Sequence, residues 1–135
     1  MDAVRFLELV QEKDIKIQEK AEKIESMKSG SSVYYGFKPD TGITNSMEDK
    51  LIKIVEQQDK LNIMLQEFVQ YRSDVIKMIY SIDSFLGSEI LYKRFIDYLS
   101  ITEVLSDLKA NYSSYEAAIR QFEEKYKIYM HQNRY

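Results

Sequence analysis

The placement of helix breakers constrains this chain more than any other feature. Its only proline, Pro39, and three of its four glycines, Gly30, Gly36 and Gly42, fall within residues 29–46, SGSSVYYGFKPDTGITNS. Relative to alanine, glycine costs a helix interior about 1 kcal/mol and proline about 3 kcal/mol, so long segments free of both can run as unbroken helices. Residues 3–28 and 47–82 are such segments. In the first, Leu7, Val10, Ile17, Ala21 and Ile24 recur on helical steps, interrupted at Asp14. The intervening acids and bases, as in QEKDIKIQEKAEKIE, put opposite charges three or four apart on a solvated face. In the second, Leu51, Ile54, Leu61, Leu65, Phe68, Val75, Ile79 and Ile82 follow a heptad spacing broken by Gln58 and Arg72.

These patterns predict an all-α fold: a helix over residues 1–28, a linker over 29–46, and a long central helix over 47–83 with Ser46 as N-cap and Glu48 and Asp49 in its first turn. Unbroken, residues 47–82 span about 54 Å. One apolar stripe cannot bury itself, so the two long helices are expected to form a coiled-coil-like rod with each other, with a second copy of the chain, or both. Ile63, Met64 and Val69 are left over as apolar surface, and a homo-oligomer is expected. In the linker, Val33, Tyr34, Tyr35, Phe37 and Ile43 are poor residues to leave in water: either they pack back on the helices, or Tyr34, Tyr35 and Phe37 are the candidates for contact with a protein partner.

Composition removes most chemistry. The chain has no cysteine and one histidine, His131, four residues before its last, which excludes thiolate sites and a cysteine nucleophile, and leaves no His-Asp-Ser triad or multi-histidine cage within one chain unless the tail folds back. Its carboxylates are scattered along amphipathic helices and no glycine-rich phosphate cradle occurs, so no enzyme, cofactor or metal is expected. With 22 acids against 19 bases, a net charge of −3 argues against coating nucleic acid by bulk charge and leaves room only for a local basic face. No stretch reaches the roughly 18 apolar residues of a membrane span, and the first residues, MDAVRFLELVQEKD, lack a signal-peptide pattern, so a cytoplasmic location is expected.

Residues 84–135 read as shorter, denser segments. Gly87 serves as a turn or C-cap residue, and EILYKRFIDYL then gathers Ile90, Leu91, Phe95 and Tyr98. Ser100, with Glu103 three residues later, has the capping-box spacing and opens a helix carrying Ile101, Val104, Leu105 and Leu108. A turn over 109–113 leads to a third helix, starting at Ser113 or Ser114 and running to about Met130, which buries Ala118, Phe122 and Tyr126 or Tyr129. Tyr71, Tyr80, Tyr92 and Tyr98, within apolar segments, are expected to be partly buried with their hydroxyls reaching water. Two short helices joined by a turn, behind a supporting helix, have the outline of a helix-turn-helix.

The charged first helix, the aromatic linker, the long second helix, and then EILYKRFIDYLSITEVLSDL and YSSYEAAIRQFEEKY together resemble small phage transcriptional regulators of the ArpU and RinA type, most closely at LYKRFID. The resemblance implies a C-terminal unit similar to domain 4 of bacterial sigma factors and a role in activating late phage genes. Ser114, Tyr115, Glu116, Ile119 and Arg120 would then face the bases of double-stranded DNA, because the first turns of a recognition helix enter the groove, while Lys109, Lys125 and Lys127 would meet phosphates. Residues 109–135 hold five bases and three acids, a local balance of +2. The chain differs from the family pattern at Leu105, where a small residue is usual, at Glu116, where an arginine is usual, and in a longer turn. These differences support an alternative: a helical interaction module that has lost DNA contact and binds RNA polymerase or another regulatory protein.

Overall fold

The computed structural model describes the backbone of residues 1–35 and 41–132, and the side chains of residues 1–29 and 47–132. Every regular element among these residues is an α-helix: α1 (Ala3–Tyr35), α2 (Thr41–Ile79), α3 (Phe85–Phe95), α4 (Ile101–Leu108) and α5 (Tyr112–Gln132). The chain is all-α, as its breaker-free segments predict. Both long helices run further than expected. α1 continues through Gly30 to Tyr35 and α2 starts at Thr41, so Ser46 lies inside α2 rather than at its cap and helix occupies much of the segment read as a linker. Once a helix is nucleated, extending it across one glycine costs only about 1 kcal/mol. The side chains of Tyr34 and Tyr35, and Phe37 entirely, lie outside the described residues.

The chain divides into two compact units, Met1–Lys13 with Phe68–Tyr135, and Asp14–Glu67. In the second unit, Ile17 and Ile24 of α1 and Ile54 and Leu61 of α2 are buried, and Lys20 Nζ donates to Gln57 Oε1 at 2.6 Å. Leu51 and Leu65, expected on the same stripe, are instead 49% and 39% exposed. A straight α-helix repeats every 3.6 residues, so a list of heptad positions covers two neighbouring faces, and only one of them is used within the chain.

The first unit holds the main core: Ala3, Phe6, Leu7 and Val10 of α1, Val75, Met78 and Ile79 of α2, Leu91 and Phe95 of α3, and Ala118, Phe122 and Tyr126 of α5. Phe6 is its aromatic hub. The rings of Tyr126, Tyr71, Tyr129 and Phe122 lie 5.1, 5.2, 6.0 and 6.4 Å from it, tilted or offset as the ring quadrupoles prefer. The Tyr71 hydroxyl, expected to reach water, donates to the Phe6 carbonyl at 2.7 Å, and burial raises its pKa well above the ordinary tyrosine value. The Tyr126 hydroxyl donates to the Met1 carbonyl at 3.1 Å, so the first residues are tied to α5. Tyr80 is the most open of the four tyrosines and donates to Glu89 Oε1 at 3.1 Å.

Three junctions shape the C-terminal helices. Gly87 lies in the first turn of α3 rather than at a C-cap: Ser84 is the N-cap and its Oγ accepts from Gly87 N at 2.9 Å. A Cβ at Gly87 would stand 3.1 Å from Ile82 Cδ1 and 3.3 Å from Ser84, so the glycine serves a close approach. The neighbouring Ser88 is buried, with its hydroxyl 2.9 Å from the Ile79 carbonyl at the end of α2. Ser100 and Glu103 form the expected capping box at α4. α4 ends at Lys109 in the left-handed region (φ 51°), where Lys109 and Ala110 donate back to Ser106 and Leu105. α5 is capped by Asn111 rather than by Ser113 or Ser114. Its Oδ1 accepts from Ser114 N at 3.0 Å and from the two serine hydroxyls at 2.6 and 3.1 Å, since asparagine is a strong N-cap and these serines already lie in the first turn. Asn111→Ala is therefore expected to cost about 1 kcal/mol, within the 0.5–2 kcal/mol of lost caps; urea unfolding measures it.

Candidate nucleic-acid interface

α4 and α5 are joined by three residues, Lys109 to Asn111, and α3 packs against both. The connection is thus shorter than the five-residue turn read from the sequence, because α5 begins at Tyr112. The eight residues of α4 carry the most one-sided apolar pattern of the chain: Val104 is fully buried, while Ile101, Leu105 and Leu108 are half-buried beside it.

The proposed base-facing residues separate into two groups. Glu116 and Arg120 are exposed and stand one turn apart on one face of α5. The other three turn toward their own chain. Ser114 is engaged by the Asn111 cap, and Ile119 is half-buried against the core of the first unit. Tyr115 is half-buried; burial raises its phenol pKa, and the Arg94 guanidinium hydrogen-bonded to it pulls the other way. Sequence spacing places all five near the start of the helix, but 100° per residue spreads consecutive positions around it, and the core takes those on its side.

The proposed phosphate contacts are spread along the same element. Lys109 is exposed in the turn before α5. Lys125 is half-buried and lines a cleft with Asp74, Lys77, Met78, Ser81 and Tyr129. Lys127 is exposed and borders a second cleft with Met1, Asp2, Val4 and Glu123. From the start of α5 to Lys127 is about 22 Å of helix. The outward stripe reads Glu116, Arg120, Glu124, Lys127, all exposed and alternating in sign, so neighbouring turns offset each other's charge.

Two residues that the sequence reading did not select organise this region. One is Asn111, whose signal was an asparagine just before a helical run. The other is Arg94, within LYKRFID. Its Nη1 donates to the Leu99 carbonyl at 3.2 Å, its guanidinium holds the Tyr115 hydroxyl, and its Nε is buried without a protein partner. Arg94 thereby ties α3 to the segment before α4 and to the first turns of α5. Arg94→Ala should destabilise the first unit by about 1.5–3 kcal/mol, the range for hydrogen bonds to charged groups, and Arg94→Lys should recover little of it, because an ammonium lacks the planar fork. Urea denaturation of both variants checks this.

Among the described residues, no group of three or more metal-ligating side chains is arranged to hold an ion, and no helix is long and apolar enough to cross a membrane. No family model matches the chain, and no curated protein or solved structure matches it either.

Proposed function

We propose that the chain is a phage-encoded transcription regulator that binds promoter DNA through α4 and α5 and activates late genes in the cytoplasm of the bacterial host. The observation that carries this reading is the α4–α5 arrangement: a short capped helix, a three-residue turn, and a longer helix capped by Asn111, both packed on α3. A helix-turn-helix has this order, and its second helix enters the major groove by its N-terminal turns. Arg120 would donate to base edges and Glu116 would accept from a cytosine amino group, while Lys109, Lys125 and Lys127 would meet phosphates. The resemblance of residues 89–126 to ArpU- and RinA-type regulators supports the same reading. α1 and α2 would serve as a coiled-coil-like rod that carries this head and joins copies of the chain.

A second reading is favoured by the alternating charges on the outward stripe of α5 and by the inward turn of Tyr115 and Ile119. In it the helices form an interaction module for RNA polymerase or another regulatory protein, with Tyr34, Tyr35 and Phe37 in the contact. Chromatography on heparin in a salt gradient separates the two. The DNA-binding reading expects retention at moderate salt that weakens steeply as salt rises. Flow-through at low salt favours the interaction module.

A further inference from the structure

The face of α2 left open within the chain has a strict pattern. Leu51, Val55, Gln58, Asn62, Leu65 and Val69 follow one another on alternating steps of four and three, the spacing of a coiled-coil seam. Leu51, Val55, Leu65 and Val69 are 49%, 58%, 39% and 64% exposed, whereas Ile54 and Leu61, on the adjacent stripe, are buried. Two amides therefore sit in the middle of an apolar strip, and a purely apolar partner would leave them without hydrogen bonds.

We propose that this strip is the docking surface for a second copy of the chain, with the two α2 helices antiparallel and the two-fold axis passing beside Lys60. Lys60 is the midpoint of residues 51–69, so every position of the strip meets another position of the strip. In this register the strip is complementary to itself. Leu51 meets the partner's Val69, Val55 meets the partner's Leu65, and Gln58 meets the partner's Asn62, where each amide can both donate and accept. One layer further out, Glu48 meets the partner's Arg72. A parallel pair would also stack apolar on apolar, but it would bring Glu48 onto Glu48 and Arg72 onto Arg72, so charge selects the antiparallel arrangement. Beside the axis Asp59 comes near its own copy across the seam, at the exposed rim, where like charges cost little, while Lys60 lies on the outer side of each helix. The inference rests on α2 and is independent of DNA binding.

The absence of native cysteine makes a disulfide test clean. Leu51→Cys and Val69→Cys variants of the full chain are oxidised separately and as a mixture. Antiparallel pairing predicts a cross-linked species at twice 16.0 kDa only in the mixture. In either variant alone, like cysteines are about 27 Å apart along the helix, far beyond the roughly 7 Å that a disulfide allows between Cα atoms. Cross-linking of Leu51→Cys to itself, or no mixed species, overturns the proposal. Sedimentation supplies a second test. Val55→Asp should weaken dimerisation at least about tenfold, since it buries an unpaired charge, and Asp59→Asn should tighten it roughly twofold by removing the like-charge pair. A wild-type chain that sediments as a 16.0 kDa particle at high micromolar concentration overturns the proposal as well.

Discussion

Phe122→Ala should lower the unfolding free energy by about 3–5 kcal/mol, the range for truncating a buried aromatic ring. Phe122 is 1% exposed, and its ring lies 6.4 Å from that of Phe6, so truncation removes transfer energy and leaves a cavity at the aromatic hub. The walls of that cavity come from α1, α2, α3 and α5, and rigid elements joined at several points collapse poorly into a void. Such a loss is a large fraction of the 5–15 kcal/mol that holds a typical domain. Urea denaturation followed by helical circular dichroism measures it. A loss below about 1 kcal/mol, less than the central range for point mutants, would show that the first unit is not organised around this ring. The double variant with Phe6→Ala should lose less than the two single losses added together, because both remove one contact.

The same hub shows how far the sequence could be read. That the chain is all-α was legible, because glycine and proline are confined to a few positions and Leu7, Val10, Ile17 and Ile24 recur at helical spacing; all four are buried. The capping box at Ser100 was legible because it depends on two residues three apart. Phe6 was missed: its burial comes from Tyr71, Phe122, Tyr126 and Tyr129, which lie at least 65 positions away, and local periodicity carries no such information. Leu51 and Leu65 are exposed within the chain while Ile54 and Leu61 are buried, a distinction the sequence does not carry, since heptad spacing marks apolar positions without saying which neighbour covers them. At the candidate interface, Glu116 and Arg120 are exposed whereas Tyr115 is half-buried, a difference local spacing does not carry because the Tyr115 hydroxyl is held by Arg94 on another helix.

Arg120→Ala should cost about 1–3 kcal/mol of specific DNA binding and relax sequence preference at one position, because an arginine bidentate to guanine reads a particular base edge. Lys127→Ala should act differently. It lies near the far end of α5, so it would weaken all sequences alike and reduce the slope of log K against log salt by about 1. Both side chains are exposed, so neither change should alter folding by more than about 0.5 kcal/mol. That separation lets a binding loss be assigned to contact with DNA rather than to unfolding. In the interaction-module reading both variants behave as wild type toward DNA.

The most direct test is a fluorescence anisotropy titration of the wild-type full chain against duplexes tiled across promoter regions of the genome that encodes it, with scrambled duplexes as controls. At about 100 mM salt, where phosphate contacts remain strong, the account predicts at least one duplex bound at about 10 nM or tighter and at least about a thousandfold better than its scrambled control. Uniform binding no tighter than about 10 µM, within the range of non-specific affinity, would contradict the assignment of α4 and α5 to DNA.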